Sequence, residues 1–257
     1  MDAIEEKRVF AGGNGPVRAY LASADGVLEV RLSGGRVGGF SLVNSQPATD
    51  VDVAGGELVV ATDDDVLVGP PEGLEEVGVG PVQTVGRHSG RIAATTGDEL
   101  FVSDGTGWDQ CSTEGDLLAV DPPFAAGPAG VFRIHDGELE SVGLEAVRDI
   151  VAGPQPVAAT AAGVYVLANG WERRLETPVE RVDTGQSIVA LTADDTVVGP
   201  DREAETVPGP TVDVASSGGV IVAGPGGTVW TREMGEWRGH ETGVRDVAAI
   251  AVERKPV

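Results

Sequence analysis

The chain has 257 residues, 41 acids against 18 lysines and arginines, a formal charge of −23, one cysteine and 4% aromatic side chains. A lone Cys111 excludes an internal disulfide framework, and no apolar run approaches the roughly 18 residues of a membrane-spanning helix. Charge of this sign argues against a nucleic-acid surface, and the opening MDAIEEKRVF lacks an apolar leader, so a cytoplasmic protein is expected.

Taken in chain order, one short unit recurs. It first appears as Ala22-Ser23, a turn at Asp25-Gly26 and the apolar run Val27-Leu28. The second unit enters on Val51-Asp52-Val53, reaches Ala61-Thr62, turns on Asp63-Asp64-Asp65 and resumes at Val66-Leu67-Val68. The third reads Gln83-Thr84-Val85, Ala94-Thr95, Asp98-Glu99, Leu100-Phe101-Val102 and Trp108-Asp109. The fourth has Leu118-Ala119-Val120, Ala126-Gly127 and Val131-Phe132; the fifth has Arg148-Asp149-Ile150, Ala159-Thr160, Val164-Tyr165-Val166 and a polar strand at Trp171 to Arg174. The sixth has Glu180-Arg181-Val182, Leu191-Thr192, Asp194-Asp195 and Val197-Val198. The seventh has Val212-Asp213-Val214, Ala223-Gly224, Val229-Trp230 and Glu236-Trp237-Arg238, and Arg245-Asp246-Val247 then follows alone. The second residue of the Ala-Thr-like pair recurs at intervals of 39, 33, 32, 33, 32 and 32 residues.

Two β-rich runs across a tight turn read as a hairpin. With an apolar strand before and a polar strand after, each unit holds four short strands in about 32 residues. The expected fold is therefore all-β: a seven-bladed β-propeller with four-stranded antiparallel blades, occupying residues 1–257 as one domain. An open stack of sheets is the alternative, but it needs polar capping repeats that the sequence does not have. The register predicts closure by the C-terminal strand: Arg245-Asp246-Val247 supplies the innermost strand of the blade begun near residue 18. Lys7-Arg8-Val9-Phe10 is the other segment able to fill or flank that place.

The chain resembles β-propeller proteins generally. With its acidity, its two lysines (Lys7 and Lys255) and its opening Glu5-Glu6-Lys7-Arg8-Val9-Phe10, it is similar to a group of haloarchaeal propeller proteins. That resemblance implies the fold and a high-salt cytoplasm, and no particular activity; an acidic protein of an ordinary cell is the plainer reading. Ser103-Asp104-Gly105-Thr106-Gly107-Trp108 also has a weak likeness to the Asp-box of sialidases and sorting receptors, at a different spacing. In those families the box is mainly a folding element.

The innermost strands carry the candidate chemistry. Asp52, Asp149, Asp213 and Asp246 fall in one repeated column with Thr84, Ala119 and Arg181. Carboxylates around an axis can hold a hard cation or act as an acid–base pair, but buried aspartates equally persist when backbone N–H groups satisfy them. Arg181 is a natural partner for them. The acidic hairpin turns share one face of the disc, as a cation-attracting surface or as plain turn chemistry. His88 lies in Gly86-Arg87-His88-Ser89-Gly90-Arg91, where two arginines interrupt the acidic field near the channel mouth; this turn either grips an anionic ligand or is simply exposed. His240 is placed on an outer loop. No His or Cys stands at metal-ligand spacing, and no nucleophile elbow, Walker loop or dinucleotide fingerprint occurs. Neither cofactor nor metal is expected. The expected role is a non-catalytic binding or scaffold propeller, present as a single copy, for a protein or small ligand. The alternative is a channel-centred hydrolase or lyase using paired carboxylates or a divalent cation.

Overall fold

The structure is a computed structural model; it describes residues 17–253 apart from Gly34, Glu114, Asp136, Gln186 and Met234. The Glu5–Phe10 opening and its alternative role at the seam lie outside the described residues. All regular structure is β, arranged as seven four-stranded antiparallel sheets. Blade two runs from its inner strand Ala48–Ala54 through Glu57–Thr62 and Val66–Gly69 to Glu75–Glu76. Blades three to seven repeat this order, with inner strands Thr84–His88, Ala119–Asp121, Val147–Val151, Arg181–Thr184 and Asp213–Ser216.

The recurring Ala-Thr pair has a physical basis in each half. The small residue lies in the second strand, where blades crowd together: Ala22, Ala61, Ala94, Ala126 and Ala159 are all fully buried. The hydroxyl closes the following turn. Ser23 donates to the Gly26 carbonyl at 2.7 Å, Thr62 to Asp65 at 2.6 Å, Thr95 to Glu99 at 2.7 Å and Thr160 to Gly163 at 2.9 Å. Where the pair reads Ala126-Gly127, a Cβ on the glycine would lie 2.1 Å from the Asp116 carbonyl oxygen, so no hydroxyl-bearing residue fits.

Apolar side chains of consecutive blades merge into clusters, one at each of the seven blade interfaces. One cluster joins Ala19, Leu21 and Val30 of blade one to Ile221 and Val229 of blade seven. A sheet four short strands wide cannot hide both faces alone, and radial packing on two neighbours solves this for every blade at once.

The ring closes through the C-terminal strand, as expected, but with the register three residues further along. The inner strand of blade one is Ala249–Val252, which pairs with Val17–Ser23 so that Leu21 faces Ile250. Arg245 and Asp246 lie before it in an irregular approach, where the Arg245 N–H donates to Asp25 at 2.8 Å. The apolar Val247 ended the predicted segment convincingly because it too is buried, 4% exposed, beneath the seam. His240 also differs from its predicted outer loop: it lies within the outermost strand of blade seven, Glu236–Glu241.

Candidate functional site

The inner strands enclose a central cavity of about 1030 Å³. Its wall is built from repeats of one device. Asp50, Asp149 and Asp213 hold equivalent places on their inner strands, opposite Ala61, Ala159 and Ala223, and each carboxylate accepts two main-chain N–H groups. One comes from the next residue, at 2.8–2.9 Å. The other comes from the inner strand of the next blade: Val85 to Asp50 at 2.9 Å, Val182 to Asp149 at 2.8 Å and Ile250 to Asp213 at 2.9 Å.

Two residues along the strand a second tier repeats the arrangement. Asp52 receives the Arg87 N–H at 2.6 Å, Asp121 the Ala152 N–H at 2.7 Å and Asp183 the Ser216 N–H at 2.6 Å. Six aspartates thus tie five of the seven blade junctions across the channel wall. The last bond of the first tier, from Ile250 to Asp213, holds the closing strand itself.

The predicted column is partly brought together. Asp52, Asp149, Arg181 and Asp213 all line the cavity. Asp246 does not: it is exposed, in the approach to the closing strand, and Ala249 occupies the column in blade one. In blade two the first-tier residue is Asp50, which stands opposite Ala61 as Asp149 stands opposite Ala159 in blade five. Asp52 belongs to the second tier. The alternation Asp50-Val51-Asp52-Val53 presents both aspartates, and the pairing with Ala61 places Asp50 in the column. Asp121 and Asp183, unnoticed in the sequence, carry a detectable signal: each stands two residues beyond the column.

Electrostatics in the first tier are tense. Burial pushes the Asp50 carboxyl up to about 8, with Asp213 and Asp52 adding repulsion against its N–H donors. Burial likewise raises Asp149 to about 7, opposed by Arg181, and Asp213 to about 6, again opposed by Arg181. For Arg181, burial works against its charge, but Asp149, Asp213 and Asp50 outweigh it and hold the guanidinium above its ordinary value. Its Nε lies 4.0 Å from an Asp213 oxygen, and an Nη donates to the Glu180 carbonyl at 3.2 Å.

At the mouth, Arg87 and His88 end the inner strand of blade three and line the cavity with Ser89. Arg87 pairs with Glu57, and His88 Nδ1 lies 3.9 Å from Asp121. Both side chains of this turn therefore already face carboxylates. Among the described residues, no three His, Cys, Asp or Glu side chains converge so as to hold a metal ion. Cys111 is buried between blades three and four, and burial raises its thiol pKa, which keeps it unreactive.

The acidic turns are on one face, linking second and third strands as expected. Several are more than solvated turns: Asp25 accepts the Arg245 N–H, Asp195 accepts the Thr211 N–H at 2.7 Å, and Asp65 does most. Asp65 is 7% exposed and accepts N–H groups from Val66, Gly78, Val79 and Gly80 at 2.7–3.0 Å, pinning the segment that crosses from blade two to blade three.

Solved structures show the same fold at low identity. The WD40 domain of Neurospora crassa Pan2 is 12% identical with a TM-score of 0.58, covering 79% of this chain and 81% of that one. The computationally designed Ika8 protein is 14% identical with a TM-score of 0.58, covering 93% and 88%. The extracellular domain of a one-component system protein from B. thetaiotaomicron is 9% identical with a TM-score of 0.58; this chain spans 47% of it. No curated protein matches the chain. No helix among the described residues is long and apolar enough to cross a membrane. The family described as "Beta-prop_HVO_0234:-like, beta propeller" matches over residues 3–253, and the seven-bladed architecture agrees with it: the chain is a member of that β-propeller family.

Proposed function

We propose that the protein is a non-catalytic binding or scaffold propeller of a high-salt cytoplasm, offering its channel mouth and loop faces to a protein or small ligand. The observation that carries this reading is the use made of the channel aspartates. Each of the six directs an oxygen to a main-chain N–H of the neighbouring blade, and that work is architectural. What remains for recognition is the mouth around Arg87, His88 and Ser89 and the half-buried Arg181 below it. An acidic surface without patches of lysine suits solubility where salt is molar.

The test is affinity purification in molar potassium chloride with the intact chain and with His88→Ala/Ser89→Ala, two side chains outside the aspartate-to-N–H bonds that tie the blades. A specific partner retained by the first and lost by the second is expected. A partner retained equally by both, or none at all from correctly folded protein, overturns the assignment of the mouth.

One observation favours a second reading, a channel-centred hydrolase or lyase. Asp149 and Asp213 flank Arg181 in an open cavity with carboxyl groups raised to about 7 and about 6, the range of a general acid near neutrality. Turnover of glycoside or ester substrates that disappears in Asp149→Asn would replace the first reading with this one.

A further inference from the structure

The outermost strand of every blade presents a row of main-chain N–H and C=O groups at the rim of the disc. Such a row is a template for another strand unless it is guarded. Six rims are guarded by acids: Glu75 and Glu76, Asp109, Glu138 with Glu140, Glu172, Glu203 with Glu205, and Glu236 with Glu241. Blade one is different. Its outermost strand, Arg36–Asn44, is the longest of the strands at nine residues, and its sequence RVGGFSLVN contains no acid, lysine or proline. Phe40 and Leu42 stand on it 45% and 53% exposed. Register shifts interrupt its inner pairing on either side, leaving Gly39 to Leu42 as a regular central stretch.

We infer that this rim pairs with the same rim of a second copy, antiparallel about a twofold axis through Phe40. Two chains of charge −23 repel one another, and among the outermost strands only this one brings no carboxylate to the contact. The sequence is also complementary to itself in that register. Phe40 faces Phe40, Leu42 faces Gly38, Ser41 faces Gly39, Val43 faces Val37 and Asn44 faces Arg36. Leu42 and Ser41 meet glycines, the aromatic pair lies at the centre, and no like charges are opposed. One added strand pair buries less than the roughly 1,200 Å² of a standard interface, so the dimer is weak and concentration-dependent.

Sedimentation velocity in molar potassium chloride tests this across a wide range of protein concentration. The intact chain is expected to shift from monomer to dimer as concentration rises. Phe40→Lys opposes two like charges at the axis and should abolish the shift while leaving circular dichroism unchanged, since the side chain is exposed. Directly opposed residues have Cα atoms about 4.5–5.5 Å apart, within disulfide reach, so Phe40→Cys should oxidise to a covalent dimer while buried Cys111 stays silent. Intact protein that is monomeric at every concentration overturns the inference, as does a dimer undiminished in Phe40→Lys. Faster cross-linking through Leu42→Cys than through Phe40→Cys overturns the register.

Discussion

Single carboxylates do much of the structural work in this chain, and Asp65 shows the balance most clearly. Burial by itself raises its pKa, but four main-chain donors outweigh that and hold the group below the ordinary carboxylate value. Asp65→Ala leaves those four N–H groups without an acceptor, and a loss of about 2 kcal/mol is expected in chemical denaturation. The sign with pH follows from the depressed folded-state pKa. Asp65 contributes its stability fully above the unfolded value, near about 3.9, and loses it as pH falls through the lower folded-state value. Acid titration of the intact protein and of Asp65→Ala should therefore converge at low pH. Parallel curves would show that the carboxylate charge is not what holds the loop.

At the scale of the strand, two kinds of closure can be separated by experiment. Asp183 is buried, and its bond to the Ser216 N–H ties blade six to blade seven inside the wall. Arg245 pairs with Asp25 at the seam, 2.8 Å away, but its side chain is 77% exposed and solvent screens the pair. Asp183→Ala is expected to lower stability by about 2 kcal/mol, and Arg245→Ala to leave the unfolding midpoint where it was. Equal effects from the two would contradict the placement of the load in the inner strands.

The same scale explains what could be read from the residues. The hairpins were legible because the Ala-Thr pair is fixed twice over, by crowding at its alanine and by turn closure at its hydroxyl. The inner strands were legible only as a period. Every candidate segment ended in Val or Ile, and both Val247 and Ile250 are buried at the seam, so burial alone could not choose between Asp246 and Ala249. Blade one has Ala249 in the column, as blade four has Ala119, but just before it Arg245-Asp246-Val247 offers a competing match to Arg148-Asp149-Ile150. The second tier escaped notice because Asp121 and Asp183 follow apolar residues that had already ended the predicted segment. The edge at Phe40 was hidden for a different reason: exposure is decided by which strand lies last in its sheet, a tertiary fact.

For the whole molecule the dominant quantity is its charge of −23. At 0.15 M ionic strength the screening length is about 8 Å and carboxylates on neighbouring loops repel; at 1 M it is about 3 Å and they largely do not. The folded ring concentrates those charges, so salt should favour it over the extended chain. The unfolding midpoint is expected to rise steadily between millimolar and molar potassium chloride. A midpoint independent of salt would remove the support that composition gives to a high-salt setting. The bonds between blades bear on the molecule as a whole in another way. Their acceptors are specific aspartates, but their donors are peptide groups, which every amino acid except proline supplies. Val85, Ala152, Val182, Ser216 and Ile250 are already chemically diverse, and any of them can drift without loosening its junction so long as its bulk is accommodated. A ring assembled in this fashion tolerates divergence on one side of each of these five joints, and lets the blades differ from one another in sequence while the circle stays shut.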